Sequence, residues 1–361
     1  MAKEFSSLEK QAENKVKVLI VDDSPMMCKA LEQILGEDED IQVESRALNG
    51  QEALNKLSSG DFDVCTLDVH MPGMNGLTVL KNIMVRYPIP TLMVSAFTGD
   101  GSRVTFEALR FGAVDFFKKP TRTGDEELKT QADLLRSRLK RASRVHVEAA
   151  RYLRMKPVNG RSRASGFNDR QAEVTGIGVI HGSTGGYSSL LSVIPHLSRQ
   201  AGIPIIVSLG TSTDNLNAFV EYLRPFSRLQ LVVPDKKECL VPGHVYFLSS
   251  DQAGTFEQSG GAWEMIVEKR PLDAGEEGAI DLLLLSASES FGENCMAVFV
   301  SGDNNQGVTG AAEVIRNGGK VLAQIPDTCL APFLPGKMVR ELGAESHGAV
   351  EIASRLSTWM K

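Results

Sequence analysis

The segment VKVLIVDD, residues 16–23, decides the fold of the first part of the chain, because an apolar run of strand length ends directly in two carboxylates. Three further apolar runs lead to a polar or charged group: residues 62–67 to Asp68, residues 91–94 to Ser95, and residues 114–117 to Lys119 and Pro120. Short apolar runs that alternate with helix-like segments are typical of a doubly wound parallel sheet, whose sites form at the carboxyl ends of the strands. We therefore predict that these groups meet at one edge of an α/β sheet.

The polar groups at this edge predict a site for phosphoryl chemistry. The carboxylates of Asp22, Asp23 and Asp68 suit a hard divalent cation, which prefers oxygen ligands. A carboxylate beside such a cation can act as a nucleophile toward phosphorus. The Ser95 hydroxyl and the Lys119 ammonium are suited to hold the phosphoryl oxygens. A simpler role for the first two carboxylates is to cap the helix that begins just after them.

Residues 16–123 resemble the receiver domain of two-component response regulators, which has a flavodoxin-like fold. The stretches that match are VLIVDDSPMM, TLDVHMPGMNG, LMVSAFTG and AVDFFKKP. The resemblance implies that Asp68 accepts the phosphoryl group. It also implies a Mg²⁺ site made by Asp22, Asp23, Asp68 and the backbone carbonyl of His70, and a conformational switch made by Ser95, Phe116 and Lys119. The imidazole of His70 is expected to be solvated.

Length and composition limit the class of protein. A chain of 361 residues is long for one core and predicts two domains. The formal charge of -6 argues against a nucleic-acid binder. Five scattered cysteines without a CxxC pair predict a reducing compartment and no zinc site. Residues 1–15 are a polar extension, not a signal peptide, and no apolar stretch approaches the ~20 residues of a membrane helix. We expect a cytoplasmic protein without membrane insertion.

Residues 124–173 are predicted to form a linker between the two domains. Residues 125–155 lack Pro and Gly, carry a narrow apolar stripe and become basic toward their end, which favours a solvated helix. Residues 157–171 are polar and predict a flexible tether. A basic helix can contact nucleic acid, but the run of basic residues is the only feature that favours such binding, and we do not expect it.

Residues 174–361 are predicted to form a second α/β domain, Rossmann-like, with a largely parallel sheet. The predicted strands are apolar runs at residues 176–180, 203–207, 229–233, 245–248, 297–300 and 320–323. Helix-like segments, such as residues 188–197 and 215–223, lie between them. The piece at residues 255–270 alternates in polarity and contains two glycines, so it predicts an antiparallel hairpin.

The loop HGSTGG, residues 181–186, carries the chemistry of the second domain. Glycines that flank Ser183 between a strand and a helix can expose its hydroxyl for attack, and the first amides of the helix can stabilise an oxyanion. Alternatively, Ser183 or Thr184 only caps that helix, and the glycines serve a tight turn. A phosphate-binding loop is a third interpretation, although neither G-x-G-x-x-G nor the P-loop pattern is present.

The whole chain resembles the chemotaxis protein-glutamate methylesterase (CheB) family. The resemblance rests on the receiver, the basic linker, GSTGG, and the stretches VPGHVYFLSSD, AIDLLLLSASESFG, AVFVSGDNNQGVTGAAEVIRNGG and VLAQIPDTCLAPFLPGKM. It implies demethylation, and often deamidation, of glutamyl positions on chemoreceptor helices by a Ser-His-Asp triad. The implied partners are a histidine kinase of CheA type and chemoreceptors or other signalling proteins.

The sequence departs from this family at the triad. Ser183 matches the nucleophile. Gly210, or within one residue Leu209 or Thr211, stands where the family has its histidine, and no histidine occurs from residue 198 to residue 243. Gln306 stands where the family has the orienting aspartate. Because serine is a weak nucleophile without an adjacent base, these replacements predict a damaged catalytic site.

Two functions from different classes remain. We favour a response regulator whose output domain is catalytically impaired and serves in signalling or as an adaptor. The alternative is an active, phosphorylation-regulated methylesterase or glutamine deamidase with a rewired site, in which His181 or Asp303 replaces a triad member. Asp303 stands where the family has a methionine beside the oxyanion hole, and its charge would oppose an oxyanion. A DNA-binding regulator has only the basic linker in its favour.

Overall fold

The computed structural model of the protein describes residues 15–95, 99–119, 125–145, 173–198, 201–269 and 278–359. The chain divides near residue 152 into two compact units, and both are α/β folds, as predicted. Most of the predicted N-terminal extension and the whole tether at residues 157–171 lie outside the described residues. Within the described ranges, no helix combines the length and the apolar character that crossing a bilayer requires.

The first unit alternates five strands with five helices. They are β1 (Val16–Val21), α1 (Pro25–Gly36), β2 (Ile41–Ala47), α2 (Gly50–Ser59), β3 (Val64–Asp68), α3 (Gly76–Arg86), β4 (Thr91–Ser95), α4 (Gly99–Arg110), β5 (Asp115–Lys118) and α5 (Asp125–Ser143). The strands form one parallel sheet in the order β2-β1-β3-β4-β5. The strand order reverses at β1 and β3, so their carboxyl ends flank the position where such sheets bind ligands.

The helix predicted as a solvated linker belongs to the first unit. In α5, Leu135 and Leu139 are fully buried. Arg136 donates to the backbone carbonyl of Ile34 at 2.8 Å and pairs with Glu37 at 2.7 Å. The apolar stripe therefore covers the receiver core, and the predicted boundary at residue 123 is too early because it omits this helix. The helix ends at Ser143, and the remainder of the predicted helix from residue 146 lies outside the described residues.

The second unit contains ten strands, six α-helices and four short 3₁₀ helices among its described residues. The strands are β6 (Ile177–Gly182), β7 (Ile205–Leu209), β8 (Gln230–Val232), β9 (Lys237–Cys239), β10 (His244–Ser249), β11 (Gln252–Ser259), β12 (Ala262–Lys269), β13 (Cys295–Phe299), β14 (Lys320–Gln324) and β15 (Glu345–His347). The α-helices are α6 (Gly186–Val193), α7 (Thr213–Leu223), α8 (Ala279–Phe291), α9 (Val308–Arg316), α10 (Phe333–Leu342) and α11 (Ala349–Thr358). The 3₁₀ helices are Ile194–His196, Arg224–Phe226, Gly292–Asn294 and Pro326–Thr328.

Seven of these strands form a parallel sheet in the order β15-β14-β13-β6-β7-β10-β8. The predicted hairpin is present as β11 and β12, which pair antiparallel with each other and with β9. All six predicted strands of this unit are confirmed. The sequence did not predict β9 and β15, which have three residues each, because such short strands carry no alternation to recognise.

Helices cover both faces of the large sheet. Because its strands are parallel, the loops after β6, β7 and β13 lie at one edge of the sheet. β6 lies between β13 and β7, and its alternate residues Ile177 and Val179 are buried in a core that includes α8, α9 and α10. Gly178 and Gly182 face the other side, where a β-carbon on Gly178 would meet Leu356 of α11. The residues that follow β6, β7 and β13 are those singled out by the sequence.

Candidate functional site

The structure brings the three carboxylates of the receiver together. β1 and β3 are neighbours in the sheet; Asp22 directly follows β1, and Asp68 is the last residue of β3. One carboxylate oxygen from each of Asp22, Asp23 and Asp68 lies within 4.8 Å of the others. Asp22 and Asp68 are buried. Like charges held this close in a poorly solvated place favour a bound cation, and all three ligands are oxygens, so the donor set fits Mg²⁺.

Lys119 closes this carboxylate cluster from the other side. Its Nζ lies 2.7 Å from Asp22 Oδ2 and 3.0 Å from Asp68 Oδ2. Burial opposes the charged ammonium, but the hydrogen bonds that it donates to Asp22 and Asp68 outweigh this effect, so the pKa of Lys119 is raised. Burial also raises the pKa of Asp22, and Lys119 offsets this only in part. The ammonium therefore stays charged and can hold a phosphoryl oxygen on Asp68.

The acidic pair does not cap the helix that follows it, because another residue does so. Ser24 is the N-cap of α1, and its hydroxyl accepts from the Met27 N–H at 3.3 Å. Pro25 occupies the first turn, where its missing N–H costs nothing. Asp22 Oδ1 accepts from the Ser24 N–H at 3.0 Å, which orients the carboxylate but does not cap the helix. The two carboxylates are therefore not needed for capping and remain available as metal ligands.

The predicted switch residues lie beside the carboxylate cluster. Ser95 ends β4, the strand next to β3, and its buried hydroxyl has no hydrogen-bond partner among the described residues. Phe116 is buried and packs edge-on against Phe106, with ring centroids 5.9 Å apart. The His70 side chain is exposed, as expected, and is not a member of the cluster. A buried hydroxyl without a partner is costly unless a ligand engages it, and a phosphoryl oxygen on Asp68 would do so.

Ser183 stands in a tight connection between β6 and α6. Its N–H donates to the Ser301 carbonyl at 3.0 Å, and its own carbonyl accepts from the Gly186 N–H at 2.9 Å. Gly185 has a left-handed φ of 77°, and a β-carbon there would lie 2.5 Å from the Ser301 hydroxyl oxygen. Glycine is therefore required for both the turn and the close packing. The helix has no side-chain cap, so neither Ser183 nor Thr184 serves as one.

The partner of the Ser183 hydroxyl is an acid. Ser183 Oγ donates to Asp303 Oδ1 at 3.3 Å and accepts from the Asp303 N–H at 3.3 Å. A β-carbon on Gly302 would lie 2.8 Å from the same Oγ, so the chain after β13 passes close over Ser183. The carboxylate that the sequence placed near the oxyanion hole therefore contacts Ser183 itself.

Gly210 is the residue after β7 that faces Ser183. A β-carbon on Gly210 would lie 3.0 Å from both Cα and Cβ of Ser183. The neighbouring alternatives point elsewhere, because Leu209 is buried and Thr211 accepts a hydrogen bond from Tyr187 at 2.6 Å. The position that the sequence assigned to the missing histidine is thus directed at Ser183, and it carries no side chain.

Gln306 packs against the start of α8. Its Cγ and Cδ lie 3.1 Å from the β-carbon position of Gly278, at the start of α8. Its Oε1 accepts from Asn304 at 3.4 Å, which is the only hydrogen bond of this side chain among the described residues. As an amide, Gln306 has no negative charge with which to orient and stabilise an imidazolium as an aspartate does.

His181 does not replace the missing base. The ring is buried, its Nδ1 lies 3.3 Å from Ser208 Oγ, and it packs edge-on against Phe299. Its Nε2 meets no hydrogen-bond partner among the described residues, so there is no bond to Ser183. Burial lowers the pKa of His181 to about 4, and the charge of Asp281 offsets only part of this effect. His181 is a neutral core residue at neutral pH.

Asp281 is a site residue that the sequence reasoning missed. The buried carboxylate accepts from the Gly278 N–H at 3.1 Å, the Gly307 N–H at 2.9 Å and the Gly310 N–H at 2.9 Å. It therefore ties the start of α8 to the start of α9 and fixes the loop that carries Asp303. An acid at the third position of an apolar helix is the sequence feature that could have revealed it.

Both units of the chain resemble known proteins. Residues 178–356 match the CheB methylesterase family, and residues 18–132 match the response regulator receiver domain. The protein-glutamate methylesterase/protein-glutamine glutaminase of Pyrococcus horikoshii is 30% identical over 322 residues, which cover 89% of this chain and 87% of that protein. The protein of the same description from Thermotoga maritima is 32% identical over 327 residues, covering 90% and 93%. The crystal structure of the Thermotoga maritima CheB methylesterase catalytic domain is 26% identical with a TM-score of 0.47, covering 50% of this chain and 97% of that chain.

A receiver sheet followed by a hydrolase-type α/β domain defines a response regulator with an enzyme-like output domain. The chain belongs to the CheB methylesterase family and is a chemotaxis response regulator with a receiver domain and a methylesterase domain.

Proposed function

We propose that this protein is a phosphorylation-controlled chemotaxis regulator whose methylesterase-type domain has lost most or all of its turnover. The observation that carries the proposal is the hydrogen bond from Ser183 Oγ to Asp303 Oδ1, which directs the hydroxyl proton to a carboxylate and not to an imidazole base. Gly210 faces Ser183 without a side chain, and Gln306 is an amide that cannot stabilise an imidazolium as an aspartate does. The output domain then acts by binding signalling partners.

In the receiver, Asp68 is the proposed phosphoryl acceptor. The proposed donor of the phosphoryl group is a histidine kinase of CheA type. Asp22, Asp23, Asp68 and the carbonyl of His70 would hold Mg²⁺, which supplies positive charge between the carboxylates and the incoming phosphoryl group. Lys119 already contacts Asp68 and can hold a phosphoryl oxygen. The Ser95 hydroxyl can donate to another phosphoryl oxygen, and Phe116 adjusts to that movement.

In the output domain, Ser183 lacks the groups that make serine reactive. A hydroxyl needs a neighbouring base to become a nucleophile at neutral pH. In a serine hydrolase, removal of the histidine alone lowers turnover by about 10⁶. The Asp303 carboxylate also places negative charge where an oxyanion would develop, which opposes rather than stabilises the transition state. The missing base and the negative charge of Asp303 both lower the expected turnover.

The contact between Ser183 and Asp303 favours one alternative, in which Asp303 is itself the base of a rewired methylesterase or deamidase. A carboxylate is in general a much weaker base than imidazole. After it took the proton, it would be a neutral acid able to protonate a leaving group. We rank this alternative second because the same carboxylate must be desolvated beside the oxyanion.

The test is release of methanol from methylated receptors, and of ammonia from receptors with glutamine at those positions, by the intact protein. Ser183→Ala is the matched variant, since it removes only the hydroxyl. We expect little release from either protein, and no difference between them. Release that disappears in Ser183→Ala would show a working rewired site and would overturn the proposal. Asp303→Asn would then show whether Asp303 is the base.

The proposed partners of the output domain are chemoreceptors or other signalling proteins. The charged residues of α5 do not favour nucleic acid, because Arg136 and Lys140 are neutralised by acids of the same unit. Co-sedimentation with receptor-containing membranes, compared between the intact protein and Ser183→Ala, would show receptor binding independent of turnover. Binding that requires the hydroxyl would indicate that the site itself is the contact.

A further inference from the structure

The edge strand β15 and the helix α11 are joined by four charged side chains, Glu345, His347, Glu351 and Arg355, which we call the β15–α11 ion cluster. His347 Nε2 lies 3.2 Å from Glu345 on the same strand, and His347 Nδ1 lies 3.0 Å from Glu351 on α11. Arg355 lies 3.2 Å from Glu345 and 3.5 Å from Glu351. Each carboxylate therefore lies between the imidazole and the guanidinium.

Both nitrogens of the His347 imidazole face carboxylate oxygens. An ionised carboxylate accepts hydrogen bonds and cannot donate them, and a neutral imidazole has only one N–H. In a neutral imidazole, the lone pair of one nitrogen would therefore point at a carboxylate 3.0 or 3.2 Å away. The imidazolium has a proton for both sides. The His347 side chain is only 12% exposed, so water cannot easily replace either contact.

The charged groups that face His347 come from β15 and α11. In the described part of the chain, the carboxylates within ion-pair distance of the imidazole are those of Glu345 and Glu351. On the other side of β15 lies β14, whose residue opposite His347 is the uncharged Gln324. The Ile325 N–H donates to the His347 carbonyl at 3.0 Å, so the backbone of His347 is fixed to the sheet. The imidazole thus connects the sheet edge to the helix.

Helix α11 supports the part of the sheet that carries the Ser183 loop. A β-carbon on Gly178 of β6 would lie 2.9 Å from Leu356 of α11, so the helix packs directly against that strand. Ser357 of α11 also accepts from the Ser198 N–H at 2.9 Å, just after the 3₁₀ helix that follows α6. Because β6 and α6 flank Ser183, the packing of α11 bears on the position of this loop.

We infer that His347 is a protonation-dependent clamp that fixes α11 to the edge of the large sheet. While the imidazole is charged, the alternating charges of the β15–α11 ion cluster hold the strand and the helix together. When the imidazole loses its proton, its contacts with Glu345 and Glu351 become repulsive and α11 packs less tightly. Histidine changes its charge between about pH 5 and pH 8. The clamp is independent of whether Ser183 supports turnover.

The sign of the pH effect follows from where the proton is held. In the folded chain two carboxylates face the imidazole, and the unfolded chain does not bring them there. The folded state therefore gains stability from the proton in mild acid and loses this contribution as the pH rises. The side chains of Glu345 and Glu351 are 59% and 55% exposed, and exposed ion pairs contribute little, so the effect is a modest one.

Hydrogen exchange of the intact protein tests the clamp. Peptides that cover residues 345–358 are compared at about pH 6 and about pH 8.5, on either side of the range in which histidine titrates, after correction for the intrinsic exchange rate. We expect protection to fall by about threefold to fivefold at the higher pH.

The matched variants assign this change to one histidine. In His347→Gln, which cannot carry the charge, protection should be nearly the same at the two pH values. His244→Gln changes the first residue of β10, near the other end of the sheet, and should follow the native protein. Protection that does not fall in the native protein, or that falls as much in His347→Gln, would overturn the inference.

The charge of His347 can be measured in the native chain, so the decision does not rest on a variant that must fold. The ¹⁵N chemical shifts of the two imidazole nitrogens distinguish an imidazolium from a neutral imidazole. Glu351→Gln removes one carboxylate and should lower the proton affinity of His347 by about threefold to fivefold. Glu289→Gln, at an exposed glutamate of α8, should leave it unchanged. Equal proton affinities in the native protein and Glu351→Gln would show that the carboxylates do not hold the proton, and would refute the clamp.

Discussion

A β-carbon built on Gly210 lies 3.0 Å from the β-carbon of Ser183, so position 210 directs a side chain at the nucleophile. Gly210 is not among the residues with positive φ, so its backbone accepts any L-residue. The contact is slightly too close, and the Ser183 loop must move by a few tenths of an ångström to admit a side chain. Gly210→His should therefore fold, at a stability cost of about 1 kcal/mol.

Restoring single residues should not restore turnover. Triad residues act as a unit, so Gly210→His or Gln306→Asp alone should leave methanol release near background. The combination of both with Asp303→Met removes the wrong charge and supplies a base with its orienting acid. We expect measurable release from this triple variant. Release must disappear when Ser183→Ala is added, and activity that survives this addition would come from elsewhere.

Asp68→Asn should abolish phosphorylation and leave the receiver folded. The amide is isosteric and can still accept a hydrogen bond from Lys119, but it cannot form an acyl phosphate. Labelling by a small phosphodonor, with and without a chelator, should require both Asp68 and Mg²⁺. Asp61→Asn is the control, because Asp61 is an exposed carboxylate that pairs only with Lys17 among the described residues. Undiminished labelling of Asp68→Asn would move the acceptor to another residue.

Lys119→Met should destabilise the receiver and increase its dependence on Mg²⁺. The ammonium bridges Asp22 and Asp68, and its removal leaves two buried carboxylates facing each other. Loss of one partner of a buried pair costs about 3 kcal/mol or more. Mg²⁺ should restore part of the lost stability, because a ligand that binds only the folded state stabilises that state.

The control for Lys119 is Lys140→Met, which removes a lysine paired with Asp38 and Asp40 at a more exposed site. We expect a loss of at most about 1 kcal/mol and no change in the effect of Mg²⁺. The measurement is urea unfolding with and without Mg²⁺, following the transition that the metal shifts. Equal Mg²⁺ effects in the native protein and Lys119→Met would contradict the role of Lys119 in charge compensation.

The sequence predicted the parts of the fold and site that depend on local pattern. Apolar runs located the strands, and the polar residues at their ends located the carboxylate cluster, because parallel strands bring their carboxyl ends to one edge. The position of Gly210 came from the resemblance to the methylesterase family and not from the strand pattern, and the structure has Ser183 and Gly210 after the neighbouring strands β6 and β7. The resemblance to the family located the position of the missing histidine only to within three residues. Of these three, Gly210 is the residue that is directed at Ser183.

The remaining features depend on packing between distant segments. The contact between Asp303 and Ser183 joins residues that are 120 positions apart, and it depends on a loop held by Asp281. The apolar stripe of α5 is too narrow to show whether it faces solvent or a core, and the structure shows that Leu135 and Leu139 face the receiver. Neither property can be obtained from periodicity alone.

The buried imidazole of His181 should make the second unit unstable in mild acid. Its pKa is lowered by burial to about 4, whereas an exposed histidine has a pKa of about 6.5. As the pH falls below 6.5, the imidazole of His181 takes up a proton in the unfolded chain but not in the folded chain, so the free energy of unfolding decreases. The loss ends near pH 4, where the folded state also becomes protonated, and it amounts to about 3 kcal/mol.

Replacing His181 by a residue that does not titrate should remove this share of the pH dependence. His181→Gln should be less stable than the native protein at neutral pH, because the glutamine does not match the packing against Phe299, but its stability should fall less between pH 6.5 and pH 4. His196→Gln, at an exposed histidine, is the control and should follow the native curve. The measurement is urea unfolding at several pH values, and all other titrating groups cancel in the comparison. Parallel curves for the native protein and His181→Gln would show that His181 is protonated without cost in the folded state.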